Sequence, residues 1–274
     1  MSKHTWIKKW APLAQLVVGM ALAGSALAAP LKIGVVPGVF ADSVGVAAAE
    51  AKKKGLDIEV VEFTDWATPN VALDAGDIDL NYFQNSNYLA NVVRERGFRF
   101  VSVQPGILSF LGLYSLKHKS LADIPNGGKV AIASDPINIG RGLRLLEHAG
   151  VIKLRPGVGL LSELKDIAEN PKNLSFVEVE GPQLARTTPD VDLAQGYPYF
   201  ILASKAFDAS SGLDYTSYED DSWAIQFVAR EDKAHDPRIA EFLAIYKESP
   251  EVRQAIDQFY QHDHKLYRLT WLKD

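Results

Sequence analysis

The 274 residues contain no cysteine. That excludes a disulfide, a thiolate metal site, a thiol nucleophile and a lipid attached through cysteine, so the fold must be held by its core. Histidine is scarce too, with six in the chain. His4 lies in the N-terminal segment, His118, His148 and His235 stand alone among charged residues, and His262-Asp263-His264 is the single cluster. Histidines two positions apart on a helix point to different faces, so this cluster reads as a solvated helix end and no metal site is expected. There is no Gly-x-Ser-x-Gly elbow, no His-Glu-x-x-His pair and no Gly-x-x-x-x-Gly-Lys phosphate loop. Those absences set aside the common hydrolase, zinc-protease and nucleotide-binding chemistries. The expectation is a protein without cofactor, metal or catalytic machinery.

Positive charge is also in short supply, with 29 Lys and Arg against 34 Asp and Glu. Three of those lysines, Lys3, Lys8 and Lys9, form a basic front ahead of an apolar stretch from Leu13 to Leu22, and Ala26-Leu27-Ala28 places small residues three and one before a cut. Residues 1–28 are therefore expected to be a cleaved signal peptide rather than a retained membrane anchor. Without them, 246 residues carry 26 basic and 34 acidic side chains, a net charge of −8. Neither a nucleic-acid footprint nor a basic membrane-binding face is expected from that balance.

From Leu31 onward, short apolar strands alternate with helical patterns, the signature of α/β layering. Strands are expected at 31–36, 58–63, 78–83 and 100–103, with helices at 43–54, 70–75 and 86–96 ended by Gly55, Gly76 and Gly97. Thr68-Pro69 supplies an N-cap and a first-turn proline. A second unit follows the apolar run 107–116, with strands near 130–133 and 174–179 and another at 223–229. Asp236-Pro237 and Ser249-Pro250 open two amphipathic tail helices. No Ser/Gly linker or internal repeat separates the units. Two lobes joined by two extended crossings, with the tail helices returning to the first lobe and a cleft between, follow from that layout. The expected bounds are 29–114 and 200–274 for lobe I and 115–199 for lobe II.

The most informative stretch runs from Val130 to Leu161. An apolar strand ends in Ser134-Asp135-Pro136, and Ile137-Asn138-Ile139-Gly140-Arg141 leads into a helix stopped at Gly150. A helix N-terminus offers unpaired N–H groups and partial positive charge, and Arg141, placed in the first turn, adds a planar fork suited to a carboxylate. The competing reading is a solvated surface arginine. Tyr82 and Phe83 are neighbours at a strand end, so they point to opposite faces, and Phe83 is expected toward the cleft. Trp66, Tyr197 and Tyr199 are expected in loops, where a large ring is less often plain core.

Thr68-Pro69-Asn70, Ala72 through Asp79, Asn81, Phe83-Gln84 and Tyr88-Leu89 occur in order with the run Asp135 through Arg141. Gly150 through Leu154, Gly157 through Leu161, Glu169 through Leu174 and Pro182-Gln183-Leu184 follow. Together they resemble the methionine-type solute-binding proteins of ABC importers, the MetQ/NlpA lipoprotein family. The resemblance implies an α/β, two-lobed, type II-like periplasmic-binding-protein fold. It also implies a small ligand, methionine or a related amino acid or carboxylated solute, handed to a permease and its ATPase. Arg141 would grip the ligand carboxylate with Asn138 beside it, and Trp66, Phe83 and Tyr88 would line the side-chain pocket.

Three positions depart from the family. Asn85 stands where methionine-binding members tend to have histidine, and Gly196-Tyr197-Pro198-Tyr199 stands where an asparagine tends to hold the head group, which adds Asn85 and Tyr197 to the candidate site. Ala29 follows the expected cut where members carry a lipid-modified cysteine, so the protein is expected free in the periplasm, not lipid-anchored, and monomeric. The alternatives are the same fold with a short peptide or organosulfur acid as ligand, or a signalling role. A periplasmic hydrolase ranks last.

Overall fold

The computed structural model describes residues 29–272, so the expected signal peptide lies outside the described residues. The lobe I sheet has the strand order Ile58–Glu62, Leu31–Val35, Leu80–Asn85, Ile225–Arg230, Phe100–Pro105. Its first three strands are parallel, and Ile225–Arg230, returning from the other lobe, is antiparallel to both neighbours. Parallel neighbours need crossover connections, here the helices Val39–Lys53 and Thr68–Ala75. The lobe II sheet has the order Ser175–Val179, Lys129–Ala133, Leu193–Gly196, Gly112–Tyr114, Asp214–Tyr215. Its first three strands are again parallel and the other pairings antiparallel.

Two α/β lobes are thus present, but the pairing shifts their bounds from those expected. Gly112–Tyr114 and Asp214–Tyr215 pair inside the lobe II sheet, so the crossings fall near 106–111 and 216–224 instead of at 114/115 and 199/200. The continuous apolar run 107–116 hid the change of sheet, because strands buried on both faces carry no alternation to read. The crossings are tied together: Thr216 N donates to Leu111 O at 2.9 Å, and Leu111 N donates to Thr216 Oγ1 at 2.9 Å.

Lobe I is closed by its tail. Tyr82 stacks on Phe227 with ring centroids 3.8 Å apart and planes 5° from parallel. Its hydroxyl accepts from Ile107 N at 2.9 Å and from the Tyr246 hydroxyl at 3.3 Å. Tyr246 also pairs with the Ser43 hydroxyl at 3.0 Å, so the helix Pro237–Glu248 is joined to the helix Val39–Lys53 and to the sheet through one buried polar chain. That gives each of the three hydroxyls in this chain, Tyr82, Tyr246 and Ser43, a partner that offsets its burial.

Asp236 and Ser249 cap the two tail helices as expected, accepting from Arg238 N and Val252 N. Thr68 does not cap its own helix. Asp65 reaches over it instead, accepting from the backbone N of Ala67 and of Thr68, both at 2.7 Å, and from Thr68 Oγ1 at 2.6 Å. An ionised carboxylate is the better acceptor for amides at a helix start. Phe200-Ile201-Leu202 lies in the short helix Pro198–Ser204, which takes in Tyr199 and is preceded by Tyr197. The histidine cluster departs from the helical reading: Gln261 and His262 have positive φ, so the helix has ended. Both rings face Asp257, His262 Nδ1 at 2.5 Å and His264 Nε2 at 3.5 Å.

Burial works to raise the Asp65 pKa, yet the hydrogen bonds from Thr68 and Ala67 outweigh it and hold the carboxyl below its ordinary value. A depressed folded pKa means stability that is present above the carboxylate range and lost as pH falls through it. Asp65→Ala should cost about 1 kcal/mol near neutrality in urea denaturation. The gap from the parent should shrink on acidification through the carboxylate range, and a gap independent of pH would remove Asp65 from the cap.

Candidate functional site

The carboxyl ends of strands from both sheets meet at the crossings, the place where open α/β sheets leave a crevice. Leu80–Asn85 delivers Phe83, Gln84 and Asn85 there, and the helix Ser86–Arg96 begins immediately after with Tyr88 in its first turn. From lobe II, Lys129–Ala133 feeds the helix Pro136–His148 with Asn138 and Arg141, and Leu193–Gly196 feeds Tyr197 and Tyr199. The cavity between them encloses about 370 Å³ including its mouth. A larger hollow of about 1410 Å³ lies along the strand Phe100–Pro105 and the helix Pro237–Glu248, but lobe I alone lines it.

All seven residues expected at the site, Trp66, Phe83, Asn85, Tyr88, Asn138, Arg141 and Tyr197, line this one cavity. Phe83 faces it, whereas Tyr82 turns into the lobe I core. Gln84, Ser109, Tyr199, Trp223 and Ile225 line it as well. Asn85 spends its side-chain oxygen on the helix that follows, accepting from Tyr88 N at 2.9 Å. Tyr88 in turn donates its hydroxyl hydrogen to Trp66 O at 3.1 Å. Gln84 belongs to a buried amide cluster with Asn70 and Asn81, donating to their side-chain oxygens at 2.7 and 2.9 Å.

Arg141 differs in two ways from its expected setting. It is the sixth residue of a helix that begins at Pro136, in the second turn rather than the first. The helix N-terminus is already filled by Asp135, whose carboxylate accepts from Asn138 N at 3.0 Å and from Asn138 Nδ2 at 2.9 Å. Arg141 is 4% exposed and bound to Glu219, itself 8% exposed. Nε donates to the two carboxylate oxygens at 2.9 and 3.1 Å, and Nη2 to Oε2 at 2.5 Å. Nη2 also donates to Ser109 O at 3.2 Å, and the guanidinium lies 4.7 Å from the centre of the Trp223 ring. Burial would lower the Arg141 pKa, but Glu219 reverses that and raises it, so the group stays charged. Nη1 makes no hydrogen bond among the described residues.

Trp66 is the reach of lobe I into lobe II. Its ring lies edge-on to Tyr197, with centroids 5.4 Å apart, and near-parallel to Phe200 at 6.1 Å. The far edge of the indole seats on Gly181, where a Cβ would overlap the ring. Trp66 Nε1 and Ser109 Oγ are buried with no hydrogen-bond partner among the described residues. Gln195 supports Tyr197 from behind, donating to its hydroxyl at 3.0 Å and to Asn138 O at 3.1 Å. Burial pushes the phenols of Tyr197 and Tyr199 above their ordinary pKa, so both remain neutral donors.

Sequence reasoning did not place Glu219 or Trp223 at the site. Glu219 sits in Tyr218-Glu219-Asp220-Asp221, which reads as a solvated acidic turn. Trp223 was expected to begin a strand, whereas it closes the turn Asp221–Trp223. A buried partner for Arg141 was the available signal, since a desolvated guanidinium requires one.

A family model described as NlpA lipoprotein matches residues 31–266. The D-methionine-binding lipoprotein MetQ of Salmonella typhimurium is 38% identical over 260 residues, which cover 92% of this chain and 95% of that protein. The crystal structure of the methionine-binding protein MetQ superposes with a TM-score of 0.83 at 37% identity, covering 89% of this chain and 98% of the other. A nutrient-binding protein from Burkholderia cenocepacia bound to methionine gives 0.79 at 35% identity, covering 88% and 99%. These names correct one expectation. The relative and the family model are described as lipoproteins, so the expectation that the protein is not lipid-anchored, which rested on the missing cysteine, does not stand. The lack of a thiol is a property of these 274 residues and not a statement of where the protein resides.

Gly181→Ala should keep the indole of Trp66 from its seat and hold the lobes apart. Small-angle X-ray scattering should then show a larger radius of gyration than the parent at an unchanged melting temperature. Identical scattering would mean that Trp66 does not depend on that notch.

Proposed function

Because this chain belongs to the NlpA lipoprotein family, we propose that it is the solute-binding protein of an ABC importer. In this reading it takes methionine or a closely related small amino acid between its lobes and hands it to a permease and ATPase. The observation that carries the reading is a small cavity built from both lobes, with aromatic walls and a single formal charge, Arg141, among the described residues that line it. Arg141 and Asn138 hold the carboxylate, and Trp66, Phe83, Tyr88 and Tyr197 enclose the side chain, with Asn85 at the wall. The buried Trp66 Nε1 finds its acceptor in the ligand. The chain works by binding alone, as a monomer, and not as an enzyme. Its excess of acidic residues gives nucleic acid no purchase.

The magnitudes are sufficient. A micromolar ligand needs about 8 kcal/mol. Two charge-assisted hydrogen bonds contribute roughly 1.5–3 kcal/mol each, and a thioether chain buried among rings adds about 25 cal/mol per Å². Part of that is offset by closing the lobes, so the ligand must touch both of them to shift the equilibrium toward closure.

Titration calorimetry of both methionine enantiomers tests the reading. Arg141→Lys keeps a cation but loses the fork that meets a carboxylate in two places, and should weaken binding by at least about tenfold. Unchanged affinity would take Arg141 out of contact with the ligand, and absence of binding by the parent would overturn the ligand class.

A further inference from the structure

Glu219 is the buried charge that family resemblance did not bring into view, and it sits on the second crossing, opposite Arg141. Its two oxygens occupy Nε and Nη2 of the guanidinium, leaving Nη1 without a hydrogen bond among the described residues. The one formal charge among the described residues that line the cavity is therefore already neutralised by its partner Glu219. A solute bearing only a carboxylate would bring an uncompensated negative charge into a closed, low-dielectric space whose one guanidinium is already paired. A zwitterion brings its own cation and leaves the sum unchanged.

We propose that Glu219 is a positioning and specificity-determining residue: it fixes the orientation of Arg141 and cancels its charge, so that the cavity selects a ligand carrying an ammonium beside its carboxylate and rejects the matching plain acid. This rests on the reading of the site as an amino-acid site and goes beyond it, because Arg141 alone would favour both ligands. In this arrangement the ligand carboxylate takes the open Nη1 edge, and the ammonium lies on the side of Glu219. A second role is possible for a carboxylate on that guanidinium, that of a stand-in which leaves when the ligand arrives, and the two roles give different results.

The test compares methionine with its deaminated analogue, methylsulfanylbutanoate, by calorimetry on the parent and on Glu219→Gln and Glu219→Asp. The parent should bind methionine at least about 100-fold tighter than the acid, the scale of one unpaired charge in a desolvated site. Glu219→Gln should cut that ratio by at least about tenfold, chiefly by improving the acid, while Glu219→Asp should restore it. A merely structural role would weaken both ligands together and leave the ratio intact, which would overturn the proposal. Equal tightening of both by Glu219→Gln would show a displaced stand-in and overturn it as well. If the parent binds both ligands equally, charge selection fails while the binding reading survives, and if it binds neither, both readings fail.

Discussion

The arrangement of the cavity depends on one buried ion pair. Arg141 belongs to a lobe II helix, yet its guanidinium is bonded to Ser109 on the first crossing and to Glu219 on the second. A buried pair of this kind adds little to stability over a well-packed apolar pair, because desolvation consumes most of the Coulombic gain, but breaking it by removing one partner costs about 3–5 kcal/mol. Its contribution is therefore to geometry. It holds the start of the helix Pro136–His148 at a set distance from both connections between the lobes. Asn138, Tyr197 and the Gln195 amide that joins them are positioned relative to that point.

Closure draws on a different set of contacts. Trp66 extends from lobe I onto Tyr197, Phe200 and Gly181 of lobe II, so its indole is both a wall of the cavity and part of the surface that seals it. An unpaired indole N–H in that position costs free energy when buried. A ligand acceptor removes that cost only in the closed form. Under the proposed function the same side chain would make closure unfavourable without ligand and favourable with it, which is the differential interaction a population shift requires.

Much of this was legible in the amino-acid sequence, and the limits have physical causes. Strands and helices of lobe I followed from periodicity and from Gly76 and Gly97, which end their helices in the left-handed region. That only one of Tyr82 and Phe83 could face the cavity followed from the alternation of a strand, and Phe83 is the one that lines it. The lobe bounds were misplaced because 107–114 is buried throughout and carries no period. The cap at Thr68 was misassigned because Asp65, three residues earlier, competes for the same amides. Glu219 was missed because a carboxylate among Asp220 and Asp221 looks solvated until a long-range partner is known, and no local pattern encodes a contact spanning 78 positions.

Asp135 shows why the polar wall of the cavity is more than packing. Burial raises its pKa, against the opposing hydrogen bonds of Asn138. A carboxyl whose folded pKa lies above its unfolded value costs stability once ionised, and the cost is relieved as pH falls through the raised value. Asp135, ionised beside the neutral phenols of Tyr197 and Tyr199, is therefore a group that the fold maintains at a loss near neutrality. Apolar residues of similar volume would serve stability better. Groups kept at such a cost concentrate where a protein contacts its ligand, and Asp135 holds Asn138, which lines the cavity between the lobes.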